Sequence, residues 1–339
     1  MASWYLETGK TDGDIVISSR IRLARNIKGI PFETKQADKQ KQEILEKVKY
    51  ITPSIGYGLQ YFAMKDMDDV TKMSLVEKHL ISPEMALRKD QENIGILLNK
   101  EENICIMLNE EDHLRMQVFS AGLELQNTMQ LAIEIEEKLD EMLSFSCSRE
   151  YGYLTACPTN VGTGLRASVM VHLPALKLTG NISKILHIVN NFGMTIRGVY
   201  GEDTKSQGDM YQISNNQTLG ITEKEIISNL ENITKKVVEQ ERLARKYLRK
   251  DPIELENRVY RSFGILRYAS KINSEEAEDL LSDIKLGTDL GIIEELTDSK
   301  VKELELYLKP ANLQKRVGKA LTGFERDLER AKVVKQIIG

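Results

Sequence analysis

The sequence predicts an α+β domain over residues 1–250 followed by a helical domain over residues 251–339. Three observations carry this. Strand-like and helix-like periods mix up to about residue 220. Two apolar runs, Ile94 to Leu98 and Ile104 to Leu108, flank the polar Asn99-Lys100-Glu101-Glu102-Asn103 and read as a hairpin, which makes the sheet at least partly antiparallel. After Asp251-Pro252 every periodic stretch is helical, the pattern of a separate helical layer.

In chain order, Asp14 to Arg25 alternates as a strand, with Ile15, Ile17, Ile21 and Leu23 on one face and Arg20 and Arg22 on the other. Helical periods occupy about 34 to 50, 66 to 80, 122 to 143 and 181 to 191. Further strands are predicted at Leu165 to Leu173, Met194 to Val199 and Met210 to Ser214, the last two joined by a polar loop. A long helix follows from Thr222 to about Lys250, with Thr222 as its cap and Glu225 at capping-box spacing. The helical domain then reads as helices at about 254 to 270, 274 to 290, 299 to 307 and 310 to 336.

Composition excludes several classes. With 339 residues, 41% hydrophobic and 29% charged, a sizeable core is available. Lys and Arg number 47 against 51 Asp and Glu, a net charge of −4 without the basic bias of a nucleic-acid or membrane-surface protein. No apolar run is long enough to cross a bilayer, and the first residues lack the blocks of a secretory signal, which predicts a cytoplasmic protein. Three cysteines without C-x-x-C spacing and four scattered histidines suggest neither a disulfide framework nor a metal cluster. Gly162-Thr163-Gly164-Leu165-Arg166-Ala167 has the letters of a dinucleotide fingerprint, but its glycines precede a strand, so it reads as a flexible loop.

Arginine placement is more informative. Arg20 and Arg22 share a strand face with Arg25 just beyond, Arg115 follows an acidic turn, Arg166 opens a strand and Arg197 lies near the end of another. Arginines on the polar faces of several strands of one sheet converge on one surface, and their planar forks suit polyphosphate oxygens. Each taken alone also reads as a solvated strand charge. Two acidic turns, Asn109-Glu110-Glu111-Asp112-His113 and Gly201-Glu202-Asp203, sit at strand ends beside these arginines, where a carboxylate can take a proton from a nucleophile; as plain polar turns they would look the same. Cys157 is close in sequence to Arg166, and a small buried core thiol is its other reading.

Together, Ser18-Ser19-Arg20-Ile21-Arg22, residues 109–115, residues 157–169 and residues 197–202 resemble the ordered motifs of the phosphagen kinases, the creatine and arginine kinases. The resemblance implies a mainly antiparallel sheet flanked by helices, with Arg20, Arg22, Arg115, Arg166 and Arg197 holding the phosphates of ATP. It lines the same nucleotide site with Ser18, Ser19 and Ile21, with Ala167, Ser168, Val169 and Met170, and with Gly198, Val199, Tyr200, Gly201 and Glu202. His79 looks like a nucleotide-contacting histidine, although a structural His on an amphipathic helix fits equally. Glu111 becomes the catalytic base, Glu202 a second carboxylate on the substrate guanidinium, and Cys157 an electrostatic helper beside it. Mg²⁺ would be held mainly by the nucleotide, with no metal site on the protein.

Two departures refine this. Kinases of free creatine or arginine carry an additional N-terminal helical domain of about one hundred residues, whereas here the first nucleotide motif begins at residue 18 and helical mass is at the other end. Met170 and Tyr200 stand where those kinases usually have a histidine and an arginine. The pattern is similar to that of the branch whose acceptor is an arginine side chain of another protein, which implies an ATP-dependent protein arginine kinase. Its motif R-D-x-x-R-A fits Arg326, Asp327, Arg330 and Ala331, where two arginines one helical turn apart would form a receptor fork for phosphoarginine. A solvated helix with an Asp327–Arg330 pair reads the same. The resemblance also implies protein substrates with exposed arginine, delivery to a Clp-type protease in the stress response, allosteric regulation, and a homodimer or higher homo-oligomer. A kinase of a free guanidino compound and a non-catalytic phosphoarginine-binding adaptor are the competing readings.

Overall fold

The computed structural model describes residues 4–198 and 206–339, so Val199, Tyr200, Gly201 and Glu202 lie outside the described residues. The strands are β1 (Val16–Arg25), β2 (Gln60–Ala63), β3 (Gly95–Leu98), β4 (Ile104–Leu108), β5 (Leu114–Ala121), β6 (Cys147–Ser148), β7 (Gly152–Tyr153), β8 (Leu165–His172), β9 (Met194–Gly198) and β10 (Met210–Asn215). All but β6 and β7 join one sheet in the order β2-β3-β4-β5-β1-β8-β10-β9, and each pairing is antiparallel. The helices are α1 (Asp38–Ile55), α2 (Asp69–Glu77), α3 (Pro83–Leu87), α4 (Leu125–Leu143), α5 (Pro174–Leu178), α6 (Ile182–Asn191) and α7 (Glu223–Leu248). After these come α8 (Pro252–Tyr268), α9 (Ser274–Asp289), α10 (Asp298–Tyr307), α11 (Pro310–Val317) and α12 (Gly323–Ile338). No described helix is long and apolar enough to cross a membrane.

Burial explains the layers. Ile21, Leu23, Ala167, Val169 and Ile213 face one way and pack under α1, α4 and α7, whose apolar stripes complete the main core. A second core, from Leu255 to Ile338, belongs to α8–α12. A third, smaller cluster lies over the β2–β5 end of the opposite sheet face, where Trp4 stacks on Phe119 at 4.9 Å between ring centroids. Thr222 and Glu225 form the expected capping box of α7, with Thr222 Oγ1 accepting from the Glu225 amide and the Glu225 carboxylate accepting from the Thr222 amide.

Four local readings change. Ile17 leaves the core face because a bulge between Val16 and Ser18 sets two residues of β1 against one of β8, which reverses the alternation. β5 adds a strand where only the preceding acidic turn was expected. The helix expected at 310–336 divides into α11 and α12, because Gly318 takes a left-handed C-cap (φ 78°). The Gly162-Thr163-Gly164 segment is packed and not flexible: Gly162 pairs with Tyr153, and the Thr163 amide donates to Thr218 O at 2.9 Å. Gly162 has φ 112°, and a Cβ there would lie 2.2 Å from Thr218 O.

The two domains are bonded to each other. The Glu77 carboxylate at the end of α2 accepts from the amides of Ala311 and Asn312 at 2.7 and 2.9 Å, capping the N-terminus of α11. His172 at the end of β8 meets Ser282 of α9 at 2.9 Å, and Ser282 donates to Asp209 at 2.8 Å. Arg245 of α7 pairs with Glu241 at 3.0 Å and with Asp289 of α9 at 3.4 Å.

A methyl group at Gly162 combines a disfavoured backbone with a backbone clash. Gly162→Ala is expected to lower the unfolding free energy by about 2–4 kcal/mol, measured by urea denaturation.

Candidate active site

The antiparallel register places the arginines. Directly opposed residues of neighbouring strands point to the same face. Arg22 of β1 lies opposite Arg166 of β8 and Gln117 of β5; Arg20 lies opposite Ser168 and Phe119; Arg115 lies opposite Ala24. Met170 faces Ser18 and Gln212, and Gln212 faces Arg197 of β9. Arg20, Arg22, Arg115, Arg166 and Arg197 therefore share the face opposite the main core. The side chains of Ser19, Ile21, Ala167 and Val169, residues expected to line the site, turn the other way into the core, which leaves only their backbone on the site face. Arg25 also leaves the group: it is buried against Glu136 at 2.9 Å and covers the Tyr153 ring at 3.5 Å.

These guanidiniums are unequally satisfied. Arg20 donates from Nε to Ser168 Oγ and from Nη2 to Gln212 Oε1, both at 3.1 Å. Arg115 Nη1 is held by both oxygens of Glu110, at 2.9 and 2.8 Å. Those of Arg22, Arg166 and Arg197 make no hydrogen bond or ion pair with any described residue, and Arg166 Nε is buried without a partner. Burial, then Arg115 and Arg166, pulls the pKa of Arg20 down to about 10. Burial, then Arg115, Arg20 and Arg166, lowers Arg22 as well, and burial with Arg197 lowers Arg166. A guanidinium keeps its proton regardless, so the crowding makes the face attract an anion with several oxygens.

The acidic turn sorts its own carboxylates. It joins β4 to β5 as a tight hairpin, with the Asn109 amide donating to His113 O at 3.0 Å. Burial alone would raise Glu110, but Arg115 and a 2.6 Å bond from Ser82 hold it below the usual carboxylate range. Asp112 is buried and accepts from Asn26 at 2.6 Å and from the Ala156 amide at 2.7 Å. The Glu111 carboxylate accepts no hydrogen bond from any described residue. Partial burial raises its pKa, aided by Asp112 and Glu110 and opposed by Arg115 and Arg22. It is the one carboxylate of the turn left to meet a ligand. Cys157 is half-buried, with its sulfur 3.0 Å from Thr159 Oγ1, and its charge interaction with Arg166 places it on the same side.

A cavity adjoins the Arg20 end of this face, lined by Ser18, Arg20, His79, Ser168 and Met170. It brings together expected nucleotide residues that are far apart in the chain. His79 follows α2 in a left-handed conformation (φ 60°), and burial, then Lys309 and Arg20, keeps its imidazole neutral. The signal that sequence reasoning missed is Glu110: its pairing with Arg115 and Ser82 decides which acid remains available.

The helical motif is arranged otherwise than expected. Arg330 is fully buried, donating to Leu308 O, Ile272 O, Asp327 Oδ1 and Ser274 Oγ at 2.7–2.9 Å, which leaves one Nη2 hydrogen unused. Arg326 donates to Leu321 O at 3.1 Å, and Ala331 packs in the helical core. No exposed two-arginine fork forms, because Arg330 ties α12 to the turns beside α9 and α11.

A cationic sheet face with an unengaged carboxylate beside it can hold an anion with several oxygens next to a proton-accepting group. Residues 39–244 match the ATP:guanido phosphotransferase C-terminal catalytic domain, and residues 252–339 match the protein-arginine kinase McsB C-terminal domain. A protein-arginine kinase of Halothermothrix orenii is 50% identical over 337 residues, 99% of this chain and 96% of that one. That of Caldanaerobacter subterraneus subsp. tengcongensis is 46% identical over 95% of this chain and 96% of its own. Among solved structures, a lombricine kinase is 26% identical with a TM-score of 0.60, covering 71% of each chain. A duplicated taurocyamine kinase from Schistosoma mansoni with bound transition-state-analogue components is 25% identical with a TM-score of 0.63, covering 78% of this chain and 38% of that one. The chain belongs to the protein-arginine kinase family.

Repulsion among the arginines predicts opposite effects in one variant. Arg22→Met is expected to raise the unfolding free energy of the ligand-free protein by about 1 kcal/mol, while the increase in thermal midpoint on adding inorganic tripolyphosphate shrinks. Calorimetric melting with and without the anion measures both.

Proposed function

We propose that the protein transfers the γ-phosphoryl group of ATP to arginine side chains of other proteins. The arrangement of five arginines on one sheet face beside Glu111 carries this reading, supported by full-length similarity to protein-arginine kinases.

A guanidinium is a poor nucleophile because its nitrogens share their lone pairs with the cationic system. Glu111 orients one substrate Nη and accepts its proton as the N–P bond forms and the bond from Pγ to the β–γ bridging oxygen breaks. The displaced electron pair goes to ADP. Charge on the transferring group is met by Arg22, Arg115, Arg166 and Arg197, preorganised by the sheet, so no reorganisation is needed at the moment of transfer. Glu202, which follows β9 in the sequence, would be the second carboxylate on the substrate, and Cys157 would be an electrostatic helper beside it. The same reading has Mg²⁺ held mainly by the nucleotide; among the described residues no group of three or more acidic, histidine or cysteine side chains could hold a metal ion. Bound with the nucleotide, it would supply charge neutralisation to the phosphate oxygens.

The same reading assigns Arg326, Asp327, Arg330 and Ala331 to a regulatory phosphoarginine receptor. Burial lowers the Arg330 pKa, Asp327 opposes this and Arg326 adds to it, so the two arginines are close enough to interact although Arg330 itself is buried. It further makes the enzyme a cytoplasmic homo-oligomer whose products pass to Clp-type proteolysis under stress.

Incubation with ATP, Mg²⁺ and an unfolded protein, then mass spectrometry under non-acidic conditions, should reveal phosphoarginine, whereas a coupled assay with free arginine should show little turnover. Activity in the reverse pattern overturns the reading. Glu111→Gln should lower kcat by about 10²–10⁴-fold. Because Glu111 must be ionised and its pKa is raised above 4.5, activity should fall with decreasing pH through a midpoint above that value, and this limb should disappear from the residual activity of the variant.

A further inference from the structure

The cavity at the Arg20 end of the cationic face has two walls from different domains. The sheet side presents Ile17, Arg20, His79, Phe119, Met170 and Gln212. The opposite side comes from α9, α10 and the turn after α10: Glu278, Leu281, Lys302, Glu305, Leu306 and Lys309. We propose that the helical domain forms one wall of the nucleoside subsite, so that α9 and α10 contact the base and ribose of ATP while the sheet holds its phosphates. This rests on the arginine row being the triphosphate site.

Three observations carry it. Arg20 belongs to both the arginine row and the cavity, so a triphosphate laid along the row leads its nucleoside into the cavity. The walls suit a flat heterocycle: Ile17, Phe119, Met170, Leu281 and Leu306 supply apolar surface, with a few polar groups between them. Hydrogen-bonding capacity suits the helical wall to the base. The carboxylates of Glu278 and Glu305 accept no hydrogen bond from any described residue, whereas Lys302 already donates to Glu7 O and Lys309 to Glu77 O. The exocyclic amine of adenine therefore finds unengaged carboxylate acceptors on the helical wall.

The wall is also held in place. Lys309 and Pro310 lead into α11, whose N-terminus is capped by Glu77, and Glu77 is two residues from His79 on the sheet side. One short segment of α2 therefore sets the distance between the walls.

Hydrogen exchange of the full chain tests this with ATP against inorganic tripolyphosphate, which needs only the arginine row. ATP should slow exchange in α9 and α10, and tripolyphosphate should not. Leu281→Trp, filling the cavity from the helical side, should weaken ATP binding about tenfold or more while leaving tripolyphosphate affinity unchanged, both read by calorimetry. Protection by ATP confined to the catalytic domain, or equal loss of both ligands in a folded variant, overturns the proposal. A wild-type protein that bound neither anion would instead remove the triphosphate reading on which the proposal stands.

Discussion

Mutual repulsion among guanidiniums on one sheet face is the constraint around which the molecule is arranged. Arginines gathered this closely repel one another, and the ligand-free protein tolerates them because each is fixed by a strand whose other face is anchored in the main core. Register is decisive. A slip of one residue between β1 and β8 would send Arg22 into the apolar layer and Ile21 into the site. The bulge at Val16/Ser18 and the packed Gly162–Gly164 segment sit at opposite ends of that pairing and pin it.

The acidic hairpin shows how neighbouring residues acquire different roles. Glu110 neutralises Arg115 and Asp112 braces the turn against Asn26 and the Ala156 amide, so the intervening Glu111 is held at the tip with its oxygens unengaged. Sequence supplies three candidate acids; the local geometry leaves one for proton transfer. Partial burial, aided by the two carboxylates the hairpin sets beside it, raises the pKa of Glu111, which makes it a better proton acceptor than an isolated glutamate.

Much of this was legible in the residues. Alternation in β1, the hairpin of β3 and β4, and the capping box at Thr222 follow from local rules, and the convergence of arginines follows from strand parity. Local rules do not count bulges, so Ile17 was misplaced, and they do not distinguish a packed glycine from a mobile one, as at Gly162. Arg25 and Arg330 mark another limit. Both look like surface cations in sequence, and both are buried because distant partners, Glu136 for one and the carbonyls of Ile272 and Leu308 for the other, satisfy their donors.

The segment before β1 bears on how such a protein can be assembled from parts. Trp4 lies on Phe119 of the catalytic domain, while the residues just after it bond to α10: Glu7 O accepts from Lys302, and Thr8 donates to Asp298. Together with the Glu77 cap, this knits the two ends of the chain across the boundary between domains. A domain seated in this way is not a bead on a string. Moved onto another protein, it would need the surface that receives it, including the N-terminal residues that bond to α10.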